Sequence, residues 1–96
     1  MRDRGGPERV LVADDASEVR SIARHVLESE GYAVTVAADG REAVDAFGAE
    51  PADIVLLDIQ MPEMNGLEAC ERLRRLAPEH TPIVFLTADD SEEAYR

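Results

Sequence analysis

The chain has 96 residues, a formal net charge of −11 and 45% hydrophobic residues, which is enough for one domain with a real core. The sequence contains no lysine, and so acidic a composition argues against direct binding of nucleic acid or of an anionic membrane surface. The lone Cys70 excludes a disulfide framework, and the absence of a signal peptide or long apolar stretch predicts a cytoplasmic protein that does not enter membranes.

Strands and helices are predicted to alternate along the chain after residues 1–8, which we expect to be a disordered leader. Short apolar runs rich in β-branched residues predict strands at 9–13, 33–36, 54–57 and 83–86, the last two buried. Helices are predicted from Ser17 to Gly31, from the capping pair Asp39 and Glu42, after the cap Asn65, and from the cap Ser91. This order predicts a parallel sheet with helices on both faces.

Helical spacing of apolar residues also predicts which side of each helix faces the core. For the first helix, the expected inner residues are Val19, Ile22, Ala23, Val26 and Leu27. For the second helix, they are Ala43, Val44 and Phe47. For the third helix, they are Leu67, Cys70, Leu73 and either Leu76 or Ala77. The two histidines, His25 and His80, are expected at the surface.

Polar side chains follow three of the predicted strands at the point where each strand ends. Asp14 and Asp15 follow the first strand, Asp58 follows the third and Thr87 follows the fourth. Because the carboxyl ends of parallel strands lie along one edge of the sheet, these groups can converge. Three adjacent carboxylates repel one another unless their pKa values rise or a cation lies between them, and Mg²⁺ prefers oxygen ligands. The pattern therefore predicts a Mg²⁺ site suited to phosphoryl transfer onto a carboxylate.

Each of these residues also has a simpler interpretation. An Asp–Asp pair after a strand is usually a helix cap in a solvated loop, and a single Asp or Thr at a strand end usually belongs to a turn. The combination is more specific than any of its parts.

The sequence resembles the receiver domain of bacterial two-component response regulators from about Arg9 onward. The runs that carry the resemblance are Val10–Asp15, Ala38–Gly40, Leu57–Gly66 and Pro82–Ala88. The resemblance implies a flavodoxin-like doubly wound parallel sheet, with strand order 2-1-3-4 here because the family's fifth strand and helix are missing. We therefore interpret residues 9–96 as a receiver domain that is incomplete at its C-terminal end, and as a fragment rather than a degenerate domain.

The resemblance also implies roles for individual residues. Asp58 is expected to be the phosphoacceptor, which takes its phosphoryl group from a sensor histidine kinase or a phosphotransfer protein. Asp15, Asp58 and the backbone carbonyl of Gln60 are expected to bind Mg²⁺ directly, with Asp14 acting through water. Thr87 is expected to bond the phosphoryl group and report its presence.

Two surfaces are expected to contact other proteins. Val19 and Ile22, near the start of the first helix, are expected to form part of the kinase docking surface, with a core position as the other interpretation. The fourth strand would be an unpaired edge, which favours a homodimer or aggregation.

Other functions compete with a phosphorylation switch, which is not a turnover enzyme. If the chain were a pseudo-receiver that only docks a partner, its acidic cluster would be expected to have lost residues. Asp14, Asp15 and Asp58 are all present. A phosphatase of the haloacid dehalogenase type has a second Asp two positions after its nucleophile, where this chain has Gln60.

Overall fold

The computed structural model describes residues 6–61 and 63–86, and within them strands and helices alternate as expected. The strands are β1 (Arg9–Ala13), β2 (Ala33–Ala37), β3 (Ile54–Asp58) and β4 (Ile83–Leu86). The helices are α1 (Ser17–Ser29), α2 (Gly40–Ala49) and α3 (Gly66–Leu76). Most of the expected leader and the helix expected from Ser91 lie outside the described residues. No helix in the described ranges has the length and apolar character needed to cross a membrane.

The four strands form one parallel sheet in the order β2-β1-β3-β4, which confirms the predicted doubly wound, flavodoxin-like fold. Helix α1 packs on one face of the sheet, and helices α2 and α3 pack on the other. The register places Ala13 of β1 opposite Leu57 of β3. The residues that follow β1 and β3 therefore lie side by side, at the same edge of the sheet.

The larger core lies between the sheet and helices α2 and α3. Its fully buried side chains include Leu11, Phe47, Leu57 and Leu73. Both helices begin at the caps predicted from the sequence: Asp39 accepts a hydrogen bond from the Glu42 backbone N–H at 2.8 Å, and Asn65 accepts one from the Glu68 N–H at 3.0 Å. The Glu42 carboxylate in turn accepts from the Ala38 N–H at 2.7 Å, so the reciprocal bond of the capping box reaches one residue further back.

Two glycines allow backbone segments to approach where no side chain would fit. A Cβ atom on Gly40, at the start of α2, would collide with the backbone carbonyl oxygen of Met64. A Cβ atom on Gly66, at the start of α3, would collide with the carbonyl oxygen of Asp58 and lie 2.8 Å from the Cα of Ile59. The loop between β3 and α3 is thus held tightly against both helix starts.

Helix α1 buries less of its apolar face than the sequence predicts. Ala23 and Leu27 pack against the sheet, but Val19, Ile22 and Val26 are 37%, 63% and 51% exposed. The prediction of a core position for Val26 is therefore wrong. The physical reason is that α1 packs mainly on β1 and β2, and no element of the described structure covers the rest of its apolar face.

The buried face of α3 is rotated relative to the predicted one. Leu73 and Ala77 are buried as expected, and Cys70 is half-buried, but Leu67 and Leu76 are 58% and 51% exposed. Small residues form the rest of the buried stripe, at Gly66 and Ala69, because α3 approaches α2 and β3 closely there. The periodicity of apolar residues correctly predicts an amphipathic helix, but the side predicted to be buried is the one with the larger side chains.

The prediction that β3 and β4 are buried strands holds only in part. In β3, Val55 and Leu57 are buried toward α2 and α3, whereas Ile54 and Leu56 on the other face are only partly covered. In β4 no residue is fully buried, because β3 is its single neighbour in the described sheet.

Candidate metal centre

Three carboxylates converge at the carboxyl edge of the two central strands. Asp14 and Asp15 directly follow β1, and Asp58 is the last residue of β3. One oxygen from each carboxylate lies within 4.8 Å of the other two. The structure therefore brings together the three acidic residues that the sequence predicted to meet.

Asp14 is fixed by hydrogen bonds on both its backbone and its side chain, and it is buried, with 8% exposure. Its N–H donates to the Ala37 carbonyl at 3.0 Å, and its Oδ1 accepts from the Ala16 N–H at 2.9 Å. Its own carbonyl accepts from Nη1 of Arg20 at 2.9 Å. These bonds leave the Asp14 carboxylate little freedom to move away from its neighbours.

Asp58 is held by the loop that follows it. Its Oδ1 accepts from the Gln60 N–H at 3.3 Å, and the Gly66 N–H closes the loop by donating to the Ile59 carbonyl at 2.8 Å. Asp58 also lies opposite Leu86 in the register of β3 and β4. The carboxylate is partly exposed, so a ligand can reach it from solvent.

The pKa of Asp58 is raised above its ordinary value. Burial is the largest cause, and the negative charges of Asp14 and Asp15 add to it, while hydrogen bonds from the Gln60 and Ile59 N–H groups act in the opposite direction. The ionised form of Asp58 is thus disfavoured unless positive charge is present. A hard divalent cation would supply that charge, and a donor set made only of oxygens fits Mg²⁺.

An open pocket lies beside the acidic cluster. It is lined by Asp15, Ile59, Gln60, Met61 and Asn65. The sequence analysis identifies Asn65 only as a helix cap, and the signal for a second role is its place in the Leu57–Gly66 run that carries the family resemblance. Arg20 was missed as well, although it is the first arginine after the Asp14–Asp15 pair.

The other predicted site residues lie in different places. Val19 and Ile22 are on the exposed side of α1, and the Gln60 side chain is exposed at the rim of the pocket. Thr87 lies outside the described residues.

Comparison with known proteins gives one consistent result. The family model described as "Response regulator receiver domain" matches residues 10–96. Response regulator MprA of Mycolicibacterium vanbaalenii is 46% identical over 85 residues, which cover 88% of this chain and 36% of MprA. Transcriptional regulatory protein TrcR of Mycobacterium tuberculosis is 41% identical over 87 residues, which cover 91% of this chain and 34% of TrcR. The chain therefore spans about a third of the length of these curated relatives.

Solved structures with the same fold agree with the sequence matches. Chemotaxis protein CheY4 of Vibrio cholerae superposes with a TM-score of 0.84 at 36% identity, over 93% of this chain and 75% of CheY4. Response regulator protein TrrA of Thermotoga maritima, solved in complex with Mg(2+)-BeF, superposes with a TM-score of 0.80 at 34% identity, over 92% of this chain and 76% of TrrA.

Proposed function

This chain belongs to the family of response regulator receiver domains of two-component systems, and on that premise we propose that Asp58 accepts a phosphoryl group with the help of Mg²⁺. The observation that carries the proposal is the convergence of the Asp14, Asp15 and Asp58 carboxylates within 4.8 Å. Such a cluster repels an anionic phosphodonor unless a cation is bound. The similarity to TrrA, whose structure contains Mg(2+)-BeF, supports the same assignment.

The chain's own residues have distinct parts in the proposed reaction. A carboxylate oxygen of Asp58 attacks phosphorus as the bond from phosphorus to the donor's imidazole nitrogen breaks, and the imidazole then takes up a proton. Asp15, Asp58 and the Gln60 carbonyl would hold Mg²⁺ directly, and Asp14 would act through water. When bound, the metal offsets the negative charge of the reacting groups. Thr87, which lies outside the described residues, would donate its hydroxyl to a phosphoryl oxygen.

The experiment that tests this proposal is treatment of the purified protein with acetyl phosphate, followed by mass spectrometry. We expect one phosphoryl group to be added in the presence of Mg²⁺ and none in the presence of a chelator. Phosphorylation that is indifferent to the chelator would contradict the metal assignment. No phosphorylation from either acetyl phosphate or a kinase would contradict the phosphoacceptor assignment.

The proposed partner is a sensor histidine kinase or a phosphotransfer protein in the cytoplasm. Its histidine must reach Asp58, so its docking surface must lie near the acidic cluster. Helix α1 begins three residues after Asp14, and its side chains Val19 and Ile22 are 37% and 63% exposed. Exposed apolar side chains beside a reactive site are typical of a protein contact.

Ile22→Glu is expected to impair phosphotransfer from the kinase while leaving phosphorylation by acetyl phosphate unchanged. A buried apolar anchor in an interface contributes about 2 kcal/mol or more, so kinase transfer should fall at least about 30-fold. The matched control is Leu76→Glu, because Leu76 is also about half exposed but lies at the far end of α3. Equal loss with both phosphodonors would show that Ile22 supports the fold or the site instead.

The edge position of β4 supports a further part of the proposal, association of two copies of the chain. Within the described sheet β4 pairs only with β3, and its Val84 is 44% exposed. Unpaired apolar edges are templates for association, and lysine at an edge suppresses it. Sedimentation velocity should show a dimer that Val84→Lys dissociates and that Leu76→Lys does not. A monomeric parent protein would contradict this proposal.

A further inference from the structure

We propose that Arg20 is a positioning residue of the cation site, which fixes the Asp14–Asp15 peptide and places positive charge beside the cluster without occupying its carboxylates. The inference rests on the proposed function, because it concerns the affinity of the cluster for Mg²⁺. It assigns a role to a side chain outside the expected ligand set.

Arg20 contacts the peptide unit that joins Asp14 to Asp15. Nη1 of Arg20 donates to the Asp14 carbonyl at 2.9 Å, and that carbonyl belongs to the peptide unit that links Asp14 to Asp15. The backbone N–H of Arg20 donates to the Ala16 carbonyl at 3.1 Å, in the first turn of α1. Arg20 therefore ties the start of the helix back to the end of β1, and this tie limits how both carboxylates can be oriented.

The choice of acceptor matters for metal binding. A guanidinium that paired with a carboxylate of the cluster would compete with a cation for the same oxygens. The contact with the Asp14 carbonyl does not use the carboxylate oxygens of Asp15 and Asp58, so those oxygens remain able to bind a cation.

Other arginine side chains in the described ranges make their contacts elsewhere. Those contacts join Arg9 to Glu50, Arg24 to Glu28 and the Val34 carbonyl, Arg41 to Asp45, and Arg74 to the carbonyls of Glu79 and Thr81. The sequence has no lysine that could take over the role of Arg20.

Calorimetric titration of the purified protein with MgCl₂ tests the inference. We expect Arg20→Met to weaken Mg²⁺ binding by about tenfold or more, as is common when a residue that orients metal ligands is removed. The matched control is Arg24→Met, which removes the same charge from the same helix and a similar bond, to the Val34 carbonyl at 3.2 Å. That variant should bind Mg²⁺ within about twofold of the parent protein.

Further variants separate the role in metal binding from a role in stability. Arg20→Gln, which keeps a polar donor, should lose Mg²⁺ affinity as Arg20→Met does and serves in its place if the Met variant fails to fold. Arg20→Lys keeps the charge but not the planar fork, and should recover part of the affinity. The melting temperatures of Arg20→Met and Arg24→Met should fall by similar amounts.

Two results would overturn the inference while leaving the proposed function intact. The first is parent-like Mg²⁺ affinity in Arg20→Gln, and the second is an equal loss of affinity in Arg24→Met. A parent protein that binds no Mg²⁺ at millimolar concentration would instead overturn the proposed function and this inference together.

Discussion

Replacing Asp58 with Asn is expected to abolish phosphorylation by acetyl phosphate and by the partner kinase alike. An amide nitrogen or oxygen is a far weaker nucleophile toward phosphorus than a carboxylate oxygen, and the substitution also removes one ligand from the acidic cluster. The side chain keeps its size, so the fold should remain intact. Mass spectrometry of the intact protein after treatment with each donor measures the result.

The matched control for this experiment is Asp39→Asn. Asp39 lies two residues after β2 and caps α2 by accepting from the Glu42 N–H, a bond that Asn can also make. We expect normal phosphorylation of this variant. Phosphorylation that persists in Asp58→Asn would place the acceptor on a different residue and contradict the assignment.

The same Asp58 substitution should change stability in the absence of Mg²⁺. The pKa of Asp58 is raised chiefly by burial and then by the neighbouring Asp14 charge, so the ionised carboxylate destabilises the folded state. This penalty is present above the folded pKa and disappears as the pH falls through it, because Asp58 then becomes protonated. Asp58→Asn should therefore be more stable than the parent at neutral pH, and the difference in the free energy of unfolding should shrink in acid.

Gly66→Ala is expected to destabilise the fold by about 3 kcal/mol and to disturb the site at the same time. The added Cβ would collide with the backbone carbonyl oxygen of Asp58, and it would lie 2.8 Å from the Cα of Ile59. Neither neighbour is a flexible side chain, so β3 and α3 must move apart. Denaturant unfolding measures the loss of stability. The Mg²⁺ affinity at low denaturant concentration measures the disturbance of the site.

Gly48 in α2 provides the control for this substitution. A Cβ on Gly48 would meet no atom within 4 Å, and helical Ala is preferred to Gly by about 0.5–1 kcal/mol. Gly48→Ala should therefore be slightly more stable than the parent, with unchanged Mg²⁺ affinity. If the two variants have equal stability, the approach of Gly66 to Asp58 is not as close in solution as in the structure.

The features that sequence predicted well are those set by local chemistry or by sheet topology. The caps Asp39 and Asn65 are predictable because a short polar side chain before an apolar run has few other uses. The meeting of Asp14 with Asp58 is predictable because parallel strands place their carboxyl ends at one edge, and the register of β1 and β3 then brings the two residues together.

The features that sequence predicted poorly depend on which elements become neighbours. Periodicity defines an apolar stripe on α1 but cannot tell that only the side with Ala23 and Leu27 is covered, while Ile22 and Val26 remain exposed. On α3 it favoured Leu67 over the small residue Ala69, although close helix packing selects small side chains. The hydrogen bond from Arg20 to the Asp14 carbonyl could not be predicted, because every residue has a backbone carbonyl and residue identity does not indicate which one accepts.

The contact between Gly40 and Met64 has a mechanical consequence for the loop that borders the pocket. Backbone meets backbone there, since a Cβ on Gly40 would already collide with the Met64 carbonyl, and no side chain lies between them to change rotamer and absorb a displacement. The start of α2 is therefore a rigid stop for the loop. Displacement of the loop toward α2 must move the helix itself, so the loop can move more easily away from α2 than toward it.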